Sequence, residues 1–168
     1  GTGDWSSDVC SSDLSQQIRD GLVTDVYFER TREILKAKGI DRVVTAEFLA
    51  KDFPKDYPWA VLAGVEECVS LLKDLPVDVR VIREGTFIHP FQPVLEIRGK
   101  YLDFGRYETA LLGFLCQASG VATMAARCRK AAGDLPLTSF GARRMHPAIA
   151  PMVERNAYIG GCDGVALG

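Results

Sequence analysis

The ten residues Thr138-Ser-Phe-Gly-Ala-Arg-Arg-Met-His-Pro147 gather more chemistry than any other stretch of the chain. A short apolar approach ends at Gly141, and Arg143 and Arg144 follow at once. Two guanidinium forks beside exposed backbone N–H groups suit an anion, either a carboxylate or phosphates, because each fork donates parallel hydrogen bonds to such a group. The competing reading is a pair that closes salt bridges to carboxylates of the fold. His146, three residues after Arg143, is placed to donate to a phosphate or to move a proton. It is equally placed to pack against Pro147 at a helix start. His89, before Pro90 in a turn, reads as structural.

Three further clusters carry similar pairs of readings. In Gly160-Gly-Cys-Asp-Gly164 the backbone N–H groups suit a phosphate, and Asp163 suits a ribose or a magnesium-bound water. No Gly-Lys-Ser/Thr follows, so this is not a P-loop. Ser119-Gly-Val-Ala-Thr123 places Ser119 and Thr123 among small residues, either bordering a ligand or letting another element approach. Tyr27, in Thr24-Asp-Val-Tyr-Phe28, is either a packing residue or a stacking surface for a flat ring.

The elements that must position these groups follow from periodicity. Thr24-Asp25 can cap a helix carrying Tyr27, Thr31, Ile34 and Leu35 at helical spacing, closed by Gly39. Val43-Val44 reads as a strand, Thr45–Leu49 as a helical turn, and Asp52–Pro58 as a proline-bounded loop. Ala60–Leu62 reads as a strand ending at Gly64. Val65–Leu75 reads as a helix with Val65, Cys68, Val69 and Leu72 on one face. Val77, Val79 and Val81 alternate with polar residues, as do Leu95 and Ile97, which predicts two half-buried strands, the second ending at Gly99. Phe104–Ala132 is the longest periodic stretch, its stripe formed by Tyr107, Leu111, Phe114, Leu115, Ala118, Ala122 and Ala125, with Gly120 a candidate break. Leu135–Phe140 reads as a strand, Ala148–Ala157 as a helix, and Tyr158–Asp163 as a short strand or tight turn. From about residue 104 the order is thus β-α-β, which implies parallel pairing.

Composition narrows the class. The 168 residues carry 20 Lys+Arg against 22 Asp+Glu, a balance that argues against a nucleic-acid-binding domain. No apolar run reaches the roughly 18 residues of a membrane helix, and no secretory signal is recognised. The five cysteines form no C-x-x-C pair and read as reduced, mostly buried thiols of a cytoplasmic protein, with no metal site. Residues 1–14 are Ser/Asp-rich without period and resemble a translated sequencing adapter. They are set apart as non-native, Cys10 among them.

Taken together the motifs resemble nicotinate phosphoribosyltransferase, from about Thr24 to the end. The pieces that carry the likeness are Thr24-Asp-Val-Tyr-Phe28, Gln117-Ala-Ser-Gly-Val-Ala-Thr123, Ser139-Phe-Gly-Ala-Arg-Arg144 and Ala157-Tyr-Ile-Gly-Gly-Cys-Asp163. Met145-His-Pro147 resembles the archaeal-type branch, and the Ser-Gly-Val-Ala-Thr piece also resembles quinolinate phosphoribosyltransferases. The resemblance implies an α/β fold: an N-terminal α+β sandwich over 15–104, then, over 105–168, the first strand–helix units of an incomplete, TIM-like α/β barrel. It implies transfer of phosphoribose from phosphoribosyl pyrophosphate to nicotinate, with Mg2+ accompanying that substrate and with ATP hydrolysis coupled. It also implies a homodimer, head to tail, in which Tyr27 enters the partner's site to stack on the pyridine ring. Arg143 and Arg144 then bind the carboxylate or phosphates. Phe140 and Tyr27 border the ring, Gly141, His146, Ser119 and Thr123 are further substrate-binding candidates, and Asp163 lies near the ribose or Mg2+-bound waters. A later Gly-Thr-x-x-His segment carries the family's phosphorylated histidine, and the chain is expected to stop short of it, so these 168 residues alone are expected to be inactive. A non-catalytic fold homologue, acting in ligand binding or oligomerisation, and an enzyme for nicotinamide or quinolinate are the alternatives.

Overall fold

The computed structural model describes residues 15–167, so the adapter-like segment and Cys10 lie outside the described residues. A four-residue helix, α1 (Gln16–Arg19), leads into α2 (Val26–Ala37), which stops where Gly39 takes a left-handed turn at φ 62°. The buried side of α2 is set by Phe28, with Thr31 and Leu35 half-buried, whereas Tyr27 and Ile34 face outward. Helical spacing alone had put Tyr27 and Ile34 on the inward stripe. A stripe shifted by one position has the same spacing, and it is the wholly apolar Phe28 that is buried.

β1 (Val43–Phe48) runs straight through the segment in which a helical turn was expected. Its partner decides this. β5 (Leu95–Lys100) pairs with it antiparallel from Val43↔Lys100 to Phe48↔Leu95, and β3 (Asp78–Val81) pairs with the other edge of β5. The three-stranded order is β1-β5-β3. The alternation read from the sequence holds on the central strand, where Leu95 and Ile97 are 1% and 0% exposed. That strand passes Gly99, the expected end, and Gly99 is needed there because a Cβ would lie 2.6 Å from Val77 Cγ1. A second, two-stranded ribbon pairs β2 (Ala60–Val61) with β4 (Phe87–Ile88). Between them α3 (Val65–Leu72) buries Val65, Cys68, Leu71 and Leu72, while Val69 is exposed, contrary to the face expected for it.

After a short helix, α4 (Tyr101–Phe104), the long helix α5 (Glu108–Ala132) runs unbroken through Gly120. Its stripe is graded. Leu111 and Leu115 enter the core of the sheet and α3 beside Leu72, Leu95 and Ile97. Ala118 and Ala122 meet Val61 and Ala63, and Ala125 meets Ala157 and Cys162. Large residues fill the wide part of the interface, and small ones let β2 and α6 (Ala150–Ile159) come close. Tyr101–Ala132 is in fact long and apolar enough to cross a membrane by length and composition, contrary to the sequence expectation. Its apolar stripe is buried in the core.

The last unit is β6 (Thr138–Ser139), α6 and β7 (Gly164–Val165), the two strands paired parallel as the β-α-β order implied. β6 is shorter than expected, and Tyr158–Asp163 is the end of α6 and a turn rather than a strand. Of the described cysteines, Cys68 and Cys162 are buried and Cys116 and Cys128 exposed, so only half fit the expected burial. Burial pushes the Cys68 thiol far up, as expected of an inert core residue.

α6 is tied to the N-terminal unit by Arg155, whose Nη2 lies 2.7 Å from Glu66 Oε2 and from Glu84 Oε2. Glu84 Oε1 in turn accepts from the first N–H of α3, at Val65. Beside this network Glu67 is 5% exposed and its Oε2 is buried without a partner. Burial raises the Glu67 carboxyl above its ordinary value against the pull of Arg155, and Glu84 and Glu66 raise it further. A carboxyl raised on folding binds its proton more tightly in the native state. Its contribution therefore falls as pH climbs from the unfolded value through the raised native one. Glu67→Gln is expected to raise the melting temperature at pH 7 and to leave it unchanged near pH 4. Thermal melts at the two pH values check this, and an equal gain at both would contradict it.

Candidate functional site

The strand β6 delivers the arginines. After Ser139 the chain passes Phe140 and Gly141 and closes into a one-turn 3-10 helix, Ala142–Arg144. Arg144 N–H donates to Gly141 O at 2.9 Å, and Ala142 N–H donates to Glu154 Oε1 at 2.7 Å. Gly141 has an ordinary φ of −69°, so its missing side chain answers to space. A Cβ would stand 2.9 Å from Val153 Cγ1 and 3.6 Å from Glu154 Oε1. Arg143 and Arg144 are both exposed, and among the described residues neither guanidinium has a hydrogen-bond or ion-pair partner. The salt-bridge reading of the pair is not realised. Phe140, 63% exposed, precedes them.

His146 is exposed, and its Nδ1 lies 3.1 Å from Ala148 N. A backbone N–H only donates, so Nδ1 is the acceptor and the neutral ring carries its proton on Nε2. His89 Nδ1 lies 2.9 Å from Pro58 O and is the donor there, in keeping with a structural role. The string Gly85-Thr-Phe-Ile-His89 has the Gly-Thr-x-x-His spacing but forms the turn into β4.

Asp163 stands elsewhere. Its Oδ2 accepts from Leu137 N–H at 2.8 Å and from Arg129 Nη1 at 2.7 Å, and these bonds hold its carboxyl below the ordinary range. Arg129 Nη2 also caps the carbonyls of Gly133 and Leu135. Asp163 thus clamps the starts of β6 and β7, whereas the arginines follow the end of β6. Only Oδ1 is left for a ligand. Arg129 was missed by sequence reading, since nothing but its place in the last turn of α5 marks it. Glu154 was missed too, because a carboxylate inside an amphipathic helix looks like a surface residue.

The hydroxyls of Ser119 and Thr123 are also engaged. Thr123 Oγ1 accepts from Val61 N–H at 2.8 Å. Ser119 Oγ accepts from Ala63 N–H at 3.0 Å and donates to Ala63 O at 3.2 Å. They replace the partner strand that the free edge of β2 lacks. Thr123→Val keeps the shape and strands a buried N–H, so it is expected to cost about 1–3 kcal/mol of stability. Chemical denaturation of wild type and variant checks this. Both residues also border a cavity of roughly 510 Å³ walled by Phe53, Tyr57, Leu112 and Met124. Its lining is mostly carbon, it takes in none of residues 138–167, and it lies apart from the arginine turn.

Tyr27 lies at the far end of α5. Its neighbour Asp25 bonds Thr109, near the start of that helix, while Asp163 bonds Arg129 near its end. At 1.5 Å per residue these contacts are about 30 Å apart. Tyr27 is 56% exposed, and its ring lies against Phe28 at 4.2 Å between centroids. Within one chain, then, the sequence-derived site residues fall into four groups rather than one: the arginine turn, Asp163, the Ser119 and Thr123 pair, and Tyr27.

Residues 25–119 match the family described as the quinolinate phosphoribosyl transferase N-terminal domain. The chain belongs to that family. Relatives of this phosphoribosyl transferase domain include nicotinate phosphoribosyltransferase pncB1 of Mycobacterium tuberculosis, 30% identical over 84% of this chain and 38% of the relative. Another is the nicotinate phosphoribosyltransferase of Dictyostelium discoideum, 36% identical over 86% of this chain and 26% of the relative. The domain superposes on the crystal structure of nicotinate-nucleotide pyrophosphorylase from Pyrococcus furiosus with a TM-score of 0.89 and 53% identity, over 92% of this chain and 40% of the other. On human nicotinic acid phosphoribosyltransferase the TM-score is 0.77 at 26% identity, over 86% of this chain and 36% of the other. The chain therefore spans about two fifths or less of the length of these relatives.

Proposed function

We propose that the protein carrying this chain is a nicotinate phosphoribosyltransferase of the archaeal type, of which these residues are the N-terminal portion and, by themselves, inactive. The observation that carries the reading is the Arg143–Arg144 pair: adjacent, exposed, without an acidic partner among the described residues, and set on a turn that follows a parallel strand. Ligands of α/β folds gather at such strand ends. In this reading β6-α6-β7 opens an incomplete α/β barrel.

The reaction joins the ring nitrogen of nicotinate to C1 of the phosphoribosyl group and breaks the bond from C1 to the pyrophosphate oxygen. The electron pair of that bond leaves with pyrophosphate. Positive charge grows on the sugar and negative charge on the leaving group, so orientation and fixed cationic donors supply most of the help. Arg143 and Arg144 hold the nicotinate carboxylate or the phosphates, and Phe140 and Gly141 border the ring. His146 offers its Nε2 proton to a phosphate. Ser119 and Thr123 support from behind, since their hydroxyls hold β2. Asp163 is held by Leu137 and Arg129 at the strand starts, and its place near the ribose is proposed from the family resemblance alone. Tyr27, remote within its own chain, serves the site of a second copy in a homodimer.

Among the described residues no cluster of three His, Cys, Asp or Glu side chains makes a metal site. Mg2+ is proposed, from the family resemblance, to enter with phosphoribosyl pyrophosphate. ATP coupling is proposed from the family resemblance alone.

A quinolinate enzyme is the second reading, favoured by the family description. The complete polypeptide, assayed for pyrophosphate release with nicotinate, quinolinate and nicotinamide, separates them. Release with nicotinate is expected; release with quinolinate alone would establish the second reading, and release with neither would remove both.

A further inference from the structure

We propose that Glu154 is the positioning residue of the arginine pair: its buried carboxylate, carried on α6, fixes the Ala142–Arg144 turn and thereby sets where the two guanidinium groups meet an anionic substrate. This rests on the phosphoribosyltransferase reading of Arg143 and Arg144.

Four observations lead to it. Glu154 is 2% exposed, and its Oε1 takes the Ala142 N–H at 2.7 Å. That N–H opens the 3-10 turn and has no acceptor within it. The remaining turn bonds, Arg144 N–H to Gly141 O at 2.9 Å and Met145 N–H to Ala142 O at 3.4 Å, are internal. Among the described residues, the Glu154 bond is thus the hydrogen bond that ties the turn to another element.

The contact also has no slack. Gly141 lies so close to α6 that even a methyl group would stand 2.9 Å from Val153 Cγ1. The helix that holds the turn is itself held, through Arg155, to Glu66 and Glu84 of the N-terminal unit. Finally, Glu154 Oε2 is buried with no partner among the described residues. A half-satisfied buried carboxylate is a poor device for stability, since an apolar side chain of that size would fill the space without desolvating a charge. Its use here is as an acceptor for the turn.

The test is made on the complete polypeptide. Glu154→Ala is expected to raise KM for the anionic substrate ~10-fold or more, since small misplacements of a binding group are costly, while kcat moves less than ~3-fold. Glu154→Gln, which keeps an oxygen for the Ala142 N–H, is expected to restore KM to within ~3-fold of wild type, the residue of losing a charged acceptor. If Glu154→Ala does not fold, Glu154→Asp withdraws the oxygen by one methylene and carries the same expectation for KM. A positioning residue acts through its client, so Glu154→Ala combined with Arg143→Ala and Arg144→Ala is expected to be no worse than the arginine double variant. Fully additive losses, or a loss confined to kcat, would overturn the proposal. If the arginine variants lose substrate while Glu154→Ala and Glu154→Asp keep wild-type KM, the positioning role falls alone. If the arginine variants are themselves unaffected, it is the reading of the arginines that has failed.

Discussion

Arg143→Ala and Arg144→Ala are each expected to lower kcat/KM for the anionic substrate about 10- to 150-fold, the equivalent of losing a charge-assisted hydrogen bond worth roughly 1.5–3 kcal/mol. The thermal midpoint should hardly change. Both side chains are exposed and bound to nothing else among the described residues, so their removal leaves no buried group without a partner. Lysine at either position should recover only part of the loss, because an ammonium offers a point charge where the fork offers two aligned donors. Steady-state kinetics on the complete polypeptide, beside thermal melts, check both halves. Lost activity with a lowered midpoint would make the arginines part of the fold instead.

Gly160→Ala is expected to have the largest effect on stability, about 3 kcal/mol, the upper end of what an added methyl costs in a packed interface. The added Cβ would stand 2.3 Å from Ala122 O and 2.6 Å from Ala125 Cβ. The first neighbour is backbone of a 25-residue helix and cannot swing aside. Relief requires α6 to withdraw from α5, which opens the cluster of Ala125, Ala157 and Cys162. With φ at −73°, Gly160 needs no special conformational freedom, so close approach is the whole reason for glycine there. Denaturant unfolding of the wild type and the variant measures the difference, and a change below about 1 kcal/mol would show that the two helices do not pack as described.

The sequence made the elements legible where a single face had to be buried, although on α2 and α3 it put Tyr27, Ile34 and Val69 on the buried side. Alternation placed Leu95 and Ile97 inward on β5, and the graded stripe of α5 was visible from Tyr107 to Ala125. It failed where the deciding partner lay far along the chain. Thr45–Phe48 is strand because β5 pairs with it fifty residues later, a pairing that no local propensity records. Gly120 does not break α5 because tertiary packing along the helix outweighs one glycine.

At the site, the arginine turn could be read because glycine followed by paired guanidinium groups is a local pattern. The engagements of Asp163 with Arg129, and of Thr123 with Val61, are long-range hydrogen bonds, invisible until the fold joins them. The same holds for Glu154 and Ala142, twelve positions apart, and for the distance along α5 that separates Tyr27 from Asp163.

The central claim is that the unpartnered arginine pair receives a negatively charged pyridine substrate or the phosphates beside it. Its most direct test is equilibrium binding of nicotinate and of nicotinamide, which differ in charge but hardly in size, to the complete polypeptide and to its Arg143→Ala/Arg144→Ala double variant. The wild type is expected to favour nicotinate, and the double variant to lose that preference while still binding nicotinamide as before. A double variant that prefers nicotinate as strongly as the wild type would contradict the claim.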